Sequence, residues 1–242
     1  MIQASRFILG TVLVAVMATS AAAQNQSIDS FNKAKRYLER EVYTDYRKTI
    51  YCDADYDEKK YINPPIGFIS EKYVKRSKKV EWEHIVPAEN FGRIFVEWRD
   101  GDQACVDSKG KSFKGRNCAR KVNTAFRYME SDLHNLFPAI GSVNALRSNY
   151  NFTVLPEAYP TFGSCDMRIE GRKAHPPEIA RGQIARTYLY MDSTYSRYSM
   201  SKSQRKLMET WDTMYPVTGW ECKRVSRIKQ IQGNDNPFVS NE

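Results

Sequence analysis

Glu81-Trp82-Glu83-His84-Ile85-Val86-Pro87-Ala88 is the stretch on which the reading of this chain turns. It sets two carboxylates beside one of the only three histidines in the sequence. In an extended segment Glu81 and Glu83 share one face, while Glu83 and His84 point to opposite faces. A bend before Pro87 would instead aim Glu83 and His84 at a common site. A carboxylate suits a hard cation, and Mg²⁺ prefers few protein ligands with waters and phosphate oxygens completing its shell. A neutral imidazole can take a proton from water near neutral pH. The competing reading is a histidine packed beside Trp82 and hydrogen-bonded for structure. On the chemistry of this stretch alone, that reading stands ahead.

Two segments further along shift the balance. Ser131-Asp132-Leu133-His134-Asn135-Leu136-Phe137-Pro138-Ala139 precedes Gly141-Ser142-Val143-Asn144-Ala145-Leu146-Arg147. Both carry amides where an apolar-periodic helix would not want them. An asparagine carbonyl can complete a metal's oxygen shell without adding negative charge that would repel phosphate. Basic runs lie nearby: Lys72, Lys75, Arg76, Lys78 and Lys79, and then Lys109 to Arg127, which contains no acidic residue. Such runs are usually solvated faces. Phe113, Phe126 and Tyr128 interleave the second, and a polyanion held there would bind with strong salt dependence through counterion release.

The whole chain agrees with a basic, folded protein. It has 242 residues and a net charge of +9, with 41% hydrophobic and 12% aromatic residues. That composition excludes general disorder, and the charge predicts acidic partners, with nucleic acid first and anionic membranes second. Met1 to Ala23 reads as a secretory signal peptide. Arg6 supplies the positive region, Phe7 to Ala18 the apolar stretch, and Ala21-Ala22-Ala23 the cleavage pattern. The apolar run is too short to span a bilayer, and no later segment is apolar enough, so no membrane span is expected after cleavage. Arg6 is the leader's only charged residue, so the mature chain keeps its basicity.

Five cysteines remain, Cys52, Cys105, Cys118, Cys165 and Cys222, with no CxxC pair among them. In an oxidising compartment this predicts two disulfides and one spare thiol, with Cys105–Cys118 the preferred pair. Helices are expected after Ser30 (Phe31, Ala34, Tyr37, Leu38, Val42), after Pro176-Pro177 (Ile184, Ala185, Leu189, Tyr190) and after Ser201. The last has a capping-box form with Gln204, carries Leu207, Met208, Trp211 and Met214 on its core face, and stops at Pro216. Tyr51 to Gly115 is broken by Pro and Gly and reads as short strands and long loops. With no repeat and no linker tract, the chain reads as one α+β domain with its chemistry in the middle third.

These segments together resemble the endonuclease I family. The resemblance rests on EWEHIVPA, DLHNLFPA and GSVN, with RGQIARTYLYM, YPVTGWEC and QGNDNPF following in order, and covers about Phe31 to Phe238. It implies an exported, non-specific nuclease of the ββα-metal (His-Me finger) type, a mostly helical single domain over 24–242. The resemblance makes His84 the general base, and Glu83 and Asn144 the ligands of one divalent metal, Mg²⁺ first and Ca²⁺ or Mn²⁺ next. Asn135 is the competing amide, or orients the site from behind. Arg116, in Gly115-Arg116-Asn117-Cys118, matches the phosphate-contacting arginine, and Glu81 and Glu130 are supporting residues. Members cleave DNA and often RNA to 5′-phosphate products in the periplasm or outside the cell, and a monomer is expected. Many relatives have a second cysteine just after the position of Cys52 and another near the C-terminus. This chain has Asp53-Ala54 and Ser240-Asn241-Glu242 there.

Other classes make different demands. A cationic nucleic-acid-binding protein on the same fold explains the charge but not Glu83, His84 and Asn144 together. A metal-free ribonuclease would pair His84 with His134, which otherwise reads as packed or capping. His175 reads as part of a loop leading into a helix. A zinc protease would need an HExxH helix, which the sequence lacks.

Overall fold

Ser30 caps the first helix by accepting the Lys33 amide, and the computed structural model describes residues 23–240. α1 (Phe31–Tyr37) runs directly into a π-helical turn, Leu38–Val42. Ala34, Leu38 and Val42 are fully buried on one stripe, as their helical spacing predicts. The expected leader falls, except for Ala23, outside the described residues. Among those residues, no helix is long and apolar enough to cross a membrane.

The middle of the chain is irregular, as its prolines and glycines predict. Strands β1 (Asp55–Tyr56) and β2 (Ile62–Asn63) pair antiparallel, and a 3-10 turn follows at Val74–Lys78. The turn leads into β3 (Val80–His84) and two short helices the sequence pattern does not predict, α2 (Ala88–Gly92) and α3 (Val96–Arg99). The basic run then becomes helical as α4 (Arg116–Val122) and α5 (Thr124–Glu130). Past a 3-10 turn at Leu133–Asn135, β4 (Leu136–Ile140) pairs antiparallel with β3, from Val80 opposite Ile140 to His84 opposite Leu136. Pro138 is tolerated because each strand of a two-stranded sheet keeps an outer edge. Its carbonyl accepts the Ile50 amide at 2.8 Å.

β4 passes directly into α6 (Gly141–Arg147). A Cβ at position 141 would lie 2.6 Å from the Arg76 carbonyl oxygen and 2.7 Å from Glu81 Oε1. Only glycine lets the helix start so close to β3 and the 3-10 turn. The remaining strands, β5 (Asn151–Phe152), β6 (Arg168–Glu170) and β7 (Lys173–His175), form a small mixed sheet in the order β5-β7-β6. Three long helices finish the fold: α7 (Glu178–Thr194), α8 (Lys202–Met214) and α9 (Gly219–Gln232). The class is α+β, helices with small sheets.

Two apolar clusters flank the β3–β4 pair. The larger includes Phe91, Phe126, Val143 and the inner face of α7, and the smaller joins Ala34, Leu38, Trp82, Leu136 and Ile228. Met208 and Trp211 of α8 are buried as predicted, whereas Met214, at the frayed end before Pro216, is 61% exposed. Ser201 accepts the Gln204 amide at 3.2 Å. The capping box is only half made, because the Gln204 amide reaches the Phe152 carbonyl instead. A complete box forms at Thr218 and Glu221. Disulfides join Cys52 to Cys165 and Cys105 to Cys118, leaving Cys222 reduced.

Candidate active site

β3 delivers Glu81, Glu83 and His84 to one open cavity of about 950 Å³. Strand alternation would place Glu83 and His84 on opposite faces. The strand ends at His84, the chain bends through Ile85 and Val86, and both side chains line the cavity. The bend is pinned from behind. Asn135 Oδ1 accepts the Val86 amide at 2.8 Å, and its Nδ2 donates to the Val86 carbonyl at 3.0 Å. Asn135 is fully buried, and both ends of its amide are spent on backbone.

His84 Nε2 lies 2.8 Å from the Glu130 carbonyl oxygen. A carbonyl only accepts, so Nε2 carries the proton and Nδ1 keeps its lone pair. Nδ1 has no hydrogen-bond partner among the described residues. Burial, and then the positive charge of Arg116, push this imidazole down to about 3. His84 is therefore neutral at any physiological pH. Phe31, from α1, packs against the ring at 5.1 Å between centroids.

Glu83 is nearly buried, and one of its oxygens is fully engaged. Oε1 accepts from Tyr51 Oη at 2.8 Å and from Arg147 Nη1 at 2.8 Å, while Oε2 makes no hydrogen bond among the described residues. Burial raises the Glu83 carboxyl, with Arg147 and Tyr51 opposing. Arg147, at the end of α6, is itself fully buried. It also donates to the His84 carbonyl at 2.8 Å and the Ile85 carbonyl at 2.6 Å. One guanidinium thus holds the Glu83 carboxylate and the backbone of the bend. Sequence reading missed Arg147 and Tyr51; the only signal was Arg147 at the end of the amide-rich GSVNALR segment.

Asn144 projects from α6 into the same cavity. Its Nδ2 donates to Glu81 Oε2 at 3.0 Å, and Arg76 Nε donates to Glu81 Oε1 at 2.7 Å. With its NH₂ turned to Glu81, Asn144 leaves Oδ1 free. Among the described residues, no group of three or more His, Cys, Asp and Glu is placed to hold a metal. The donors on offer are Glu83 Oε2 and Asn144 Oδ1. Two hard oxygens suit an Mg²⁺-like ion that keeps its waters, and they do not suit zinc.

Arg116 opens α4 after Gly115, whose φ of 79° turns the chain into the helix. Its Nε donates to Glu130 Oε1, and Arg120 donates to both oxygens of the same carboxylate at 2.8 and 2.6 Å. Burial alone would raise Glu130, but the Arg120 hydrogen bonds and the Arg116 charge outweigh it and hold the carboxyl down. Glu130 therefore orients Arg116 with its side chain and His84 with its carbonyl. Arg116 lines the cavity; its Nη2 is buried, and its Nη1 makes no hydrogen bond among the described residues. A phosphate oxygen is the acceptor such a donor lacks.

The other histidines lie elsewhere. His134 is buried, does not line the cavity, and packs at a tilt against Tyr190, 4.7 Å between ring centroids. Burial pushes it down to about 4. His175 ends β7, not a loop: its Nδ1 accepts the Leu155 amide and its Nε2 meets Arg181.

The Endonuclease I family model matches residues 27–242 of this chain. An extracellular deoxyribonuclease of Aeromonas hydrophila is 40% identical over 221 residues, which is 88% of this chain and 90% of that protein. A periplasmic deoxyribonuclease of the same organism is 36% identical over 97% of each chain. An Endonuclease-1 of Buchnera aphidicola is 35% identical over 89% of this chain and 82% of its own.

Proposed function

Because this chain belongs to the Endonuclease I family, we propose that it is an exported, metal-dependent, non-specific endonuclease acting on DNA and RNA. It works in the periplasm or outside the cell, as the names of its relatives indicate for them. The observation that carries the reading is the convergence on one cavity of four groups with an open valence. These are the Nδ1 lone pair of His84, Oε2 of Glu83, Oδ1 of Asn144 and Nη1 of Arg116.

In this reading β3, β4 and α6 form a ββα-metal unit within a nuclease domain over 24–242. Glu83 and Asn144 hold one divalent cation, Mg²⁺ first, which when bound neutralises charge on the scissile phosphate and the leaving oxygen. His84 Nδ1 takes the proton of the attacking water, and its Nε2 proton stays on the Glu130 carbonyl. A phosphate in the cavity offsets the Arg116 charge that depresses the imidazole, raising its basicity when substrate is present. Arg116 donates to a non-bridging oxygen and stabilises the charge that builds at phosphorus. The bond from phosphorus to the 3′ oxygen breaks, that oxygen takes a proton from solvent to become a hydroxyl, and the product carries a 5′ phosphate. Contacts confined to the phosphate group give little sequence preference.

The test is to incubate the mature protein with supercoiled plasmid and with RNA, add EDTA, and then restore Mg²⁺. Cleavage should stop and return. His84→Ala should abolish cleavage while the plasmid is still retarded on a gel; unchanged cleavage by this variant would refute the mechanism. Cleavage of RNA alone that survives EDTA would also refute it. A plasmid bound but never cut would make the chain a nucleic-acid-binding protein on a nuclease fold.

A further inference from the structure

Both basic runs carry exposed lysines without a side-chain partner among the described residues. In the 109–127 run, Arg116 and Arg120 bond Glu130, Lys121 the Ala104 carbonyl and Arg127 Thr124, while Lys109, Lys111 and Lys114 are exposed without a side-chain partner among the described residues. In the 72–79 run, Lys72, Lys75 and Lys78 are exposed and make no side-chain hydrogen bond or ion pair among the described residues. This run forms the 3-10 turn at the rim of the catalytic cavity, and Arg76 reaches into that cavity.

In a 3-10 turn, residues three apart lie one above the other, about 6 Å apart from a rise of about 2 Å per residue. Lys75 and Lys78 therefore form one row, Arg76 lies on a neighbouring face and lines the cavity, and Tyr73 and Lys79 flank the turn at its two ends. Arg76 lies over the Tyr73 ring at 5.5 Å, and Lys79 over the Tyr61 ring at 4.8 Å. Tyr73 is 50% exposed even with Arg76 over its ring. It also sits at φ 55°, a left-handed conformation that is an outlier for a bulky residue. The fold holds this ring at the rim against its backbone preference.

We propose that the 72–79 rim is the grip for the nucleic-acid strand beside the cleavage site. Lys75 and Lys78 take two phosphates, and Tyr73 stacks an unpaired base. The inference rests on the nuclease reading for the strand's placement. Charge complementarity, the Arg76 link to the cavity and a half-exposed aromatic ring favour a single strand as the occupant, since a base inside a duplex has no free face to offer.

Binding is read by fluorescence anisotropy of a labelled single-stranded oligonucleotide and of its duplex, in EDTA, across a range of KCl. Lys75→Ala/Lys78→Ala should weaken binding to both and cut the salt slope by about 1.4 for the single strand, from roughly 0.7 per phosphate contact. Tyr73→Gly suits the left-handed backbone, so its melting temperature should equal or exceed the wild type's. It should nevertheless bind the single strand about 5-fold or more weakly, leave the duplex unchanged, and be rescued in Tyr73→Trp. Hydrolysis of bis(p-nitrophenyl) phosphate, which has no neighbouring nucleotide, should stay at wild-type rate in all three variants. Wild-type affinity and salt slope in the lysine variant, or wild-type single-strand affinity in a folded Tyr73→Gly, would overturn the proposal. Because anisotropy in EDTA reads binding alone, a chain that never cleaves would defeat the nuclease reading without touching this result.

Discussion

Replacing Arg147 with Met tests the internal support of the site. The substitution keeps length and apolar stem but removes the charge from a side chain that is 1% exposed and paired with a Glu83 that is 3% exposed. Breaking a buried pair by removing one partner costs about 3–5 kcal/mol, because the other charge is left desolvated. The His84 and Ile85 carbonyls each lose a donor as well, adding on the order of 1 kcal/mol apiece. Against a usual stability of about 5–15 kcal/mol, Arg147→Met should be severely destabilised. Glu83 can limit the loss by taking up a proton, since burial already raises its carboxyl. That gives the effect a sign in pH. An acid whose folded pKa lies above its unfolded value binds more protons in the native state, so stability falls as pH rises through that range. The variant should therefore lose less stability at pH 5 than at pH 8. Urea denaturation of wild type, Arg147→Met, Glu83→Gln and the double variant closes the cycle, and the double variant should recover about 2 kcal/mol or more relative to additivity. An Arg147→Met variant within 1 kcal/mol of wild type, or a cycle additive within about 0.5 kcal/mol, would refute the argument.

Two further outcomes follow from the same geometry. Glu130→Gln removes the carboxylate that aims Arg116 but leaves the carbonyl that holds His84. It should lower kcat with little change in KM, by less than the roughly 10²–10³-fold typical of losing a transition-state donor outright, and so by less than Arg116→Ala. A folded Glu130→Gln that is worse than Arg116→Ala would contradict that order. The second concerns acid. His84 and His134 are held down to about 3 and about 4 by burial, so between pH 4 and 6.5 the unfolded chain binds protons that the native chain refuses. Stability should then rise with pH across that window, by up to about 1.4 kcal/mol per pH unit for each histidine. His134→Gln should flatten the slope measured by urea melts between pH 5 and 6.5, and an unaltered slope would show that His134 carries a proton in the folded state.

What the sequence made legible was local. Pro176-Pro177, Ser201 and Pro216 mark helix ends through backbone rules that need no tertiary partner, and α7 and α8 lie between them. Cys105 and Cys118 pair across a separation of 13, short enough to judge as one loop. Glu81, Glu83, His84, Arg116 and Asn144, which line the cavity, could be named because they sit in contiguous segments. Illegible were partners set far apart in sequence: Arg147 meets Glu83 across 64 residues, and Tyr51 meets it across 32. Arg186 pairs with Glu221 in the same way, buried between α7 and α9. A buried arginine looks like a surface arginine until its carboxylate is brought to it by the fold.

The division between legible and illegible has a physical source. Catalytic groups must keep one valence open to the cavity, so their identities are fixed by chemistry and can be read from type and order. Their supports are chosen by geometry. The His84 tautomer depends on a Glu130 backbone oxygen at the end of α5, an atom every residue possesses and no motif can advertise. Asn135 shows the same limit from the other side. Its side chain has the chemistry of a ligand, and the sequence offered it as a rival to Asn144. Its two bonds to Val86 instead make it the clasp that fixes the turn after His84. Asn144 differs only in what holds its other end: Glu81 takes its NH₂, and so leaves its carbonyl for the cavity.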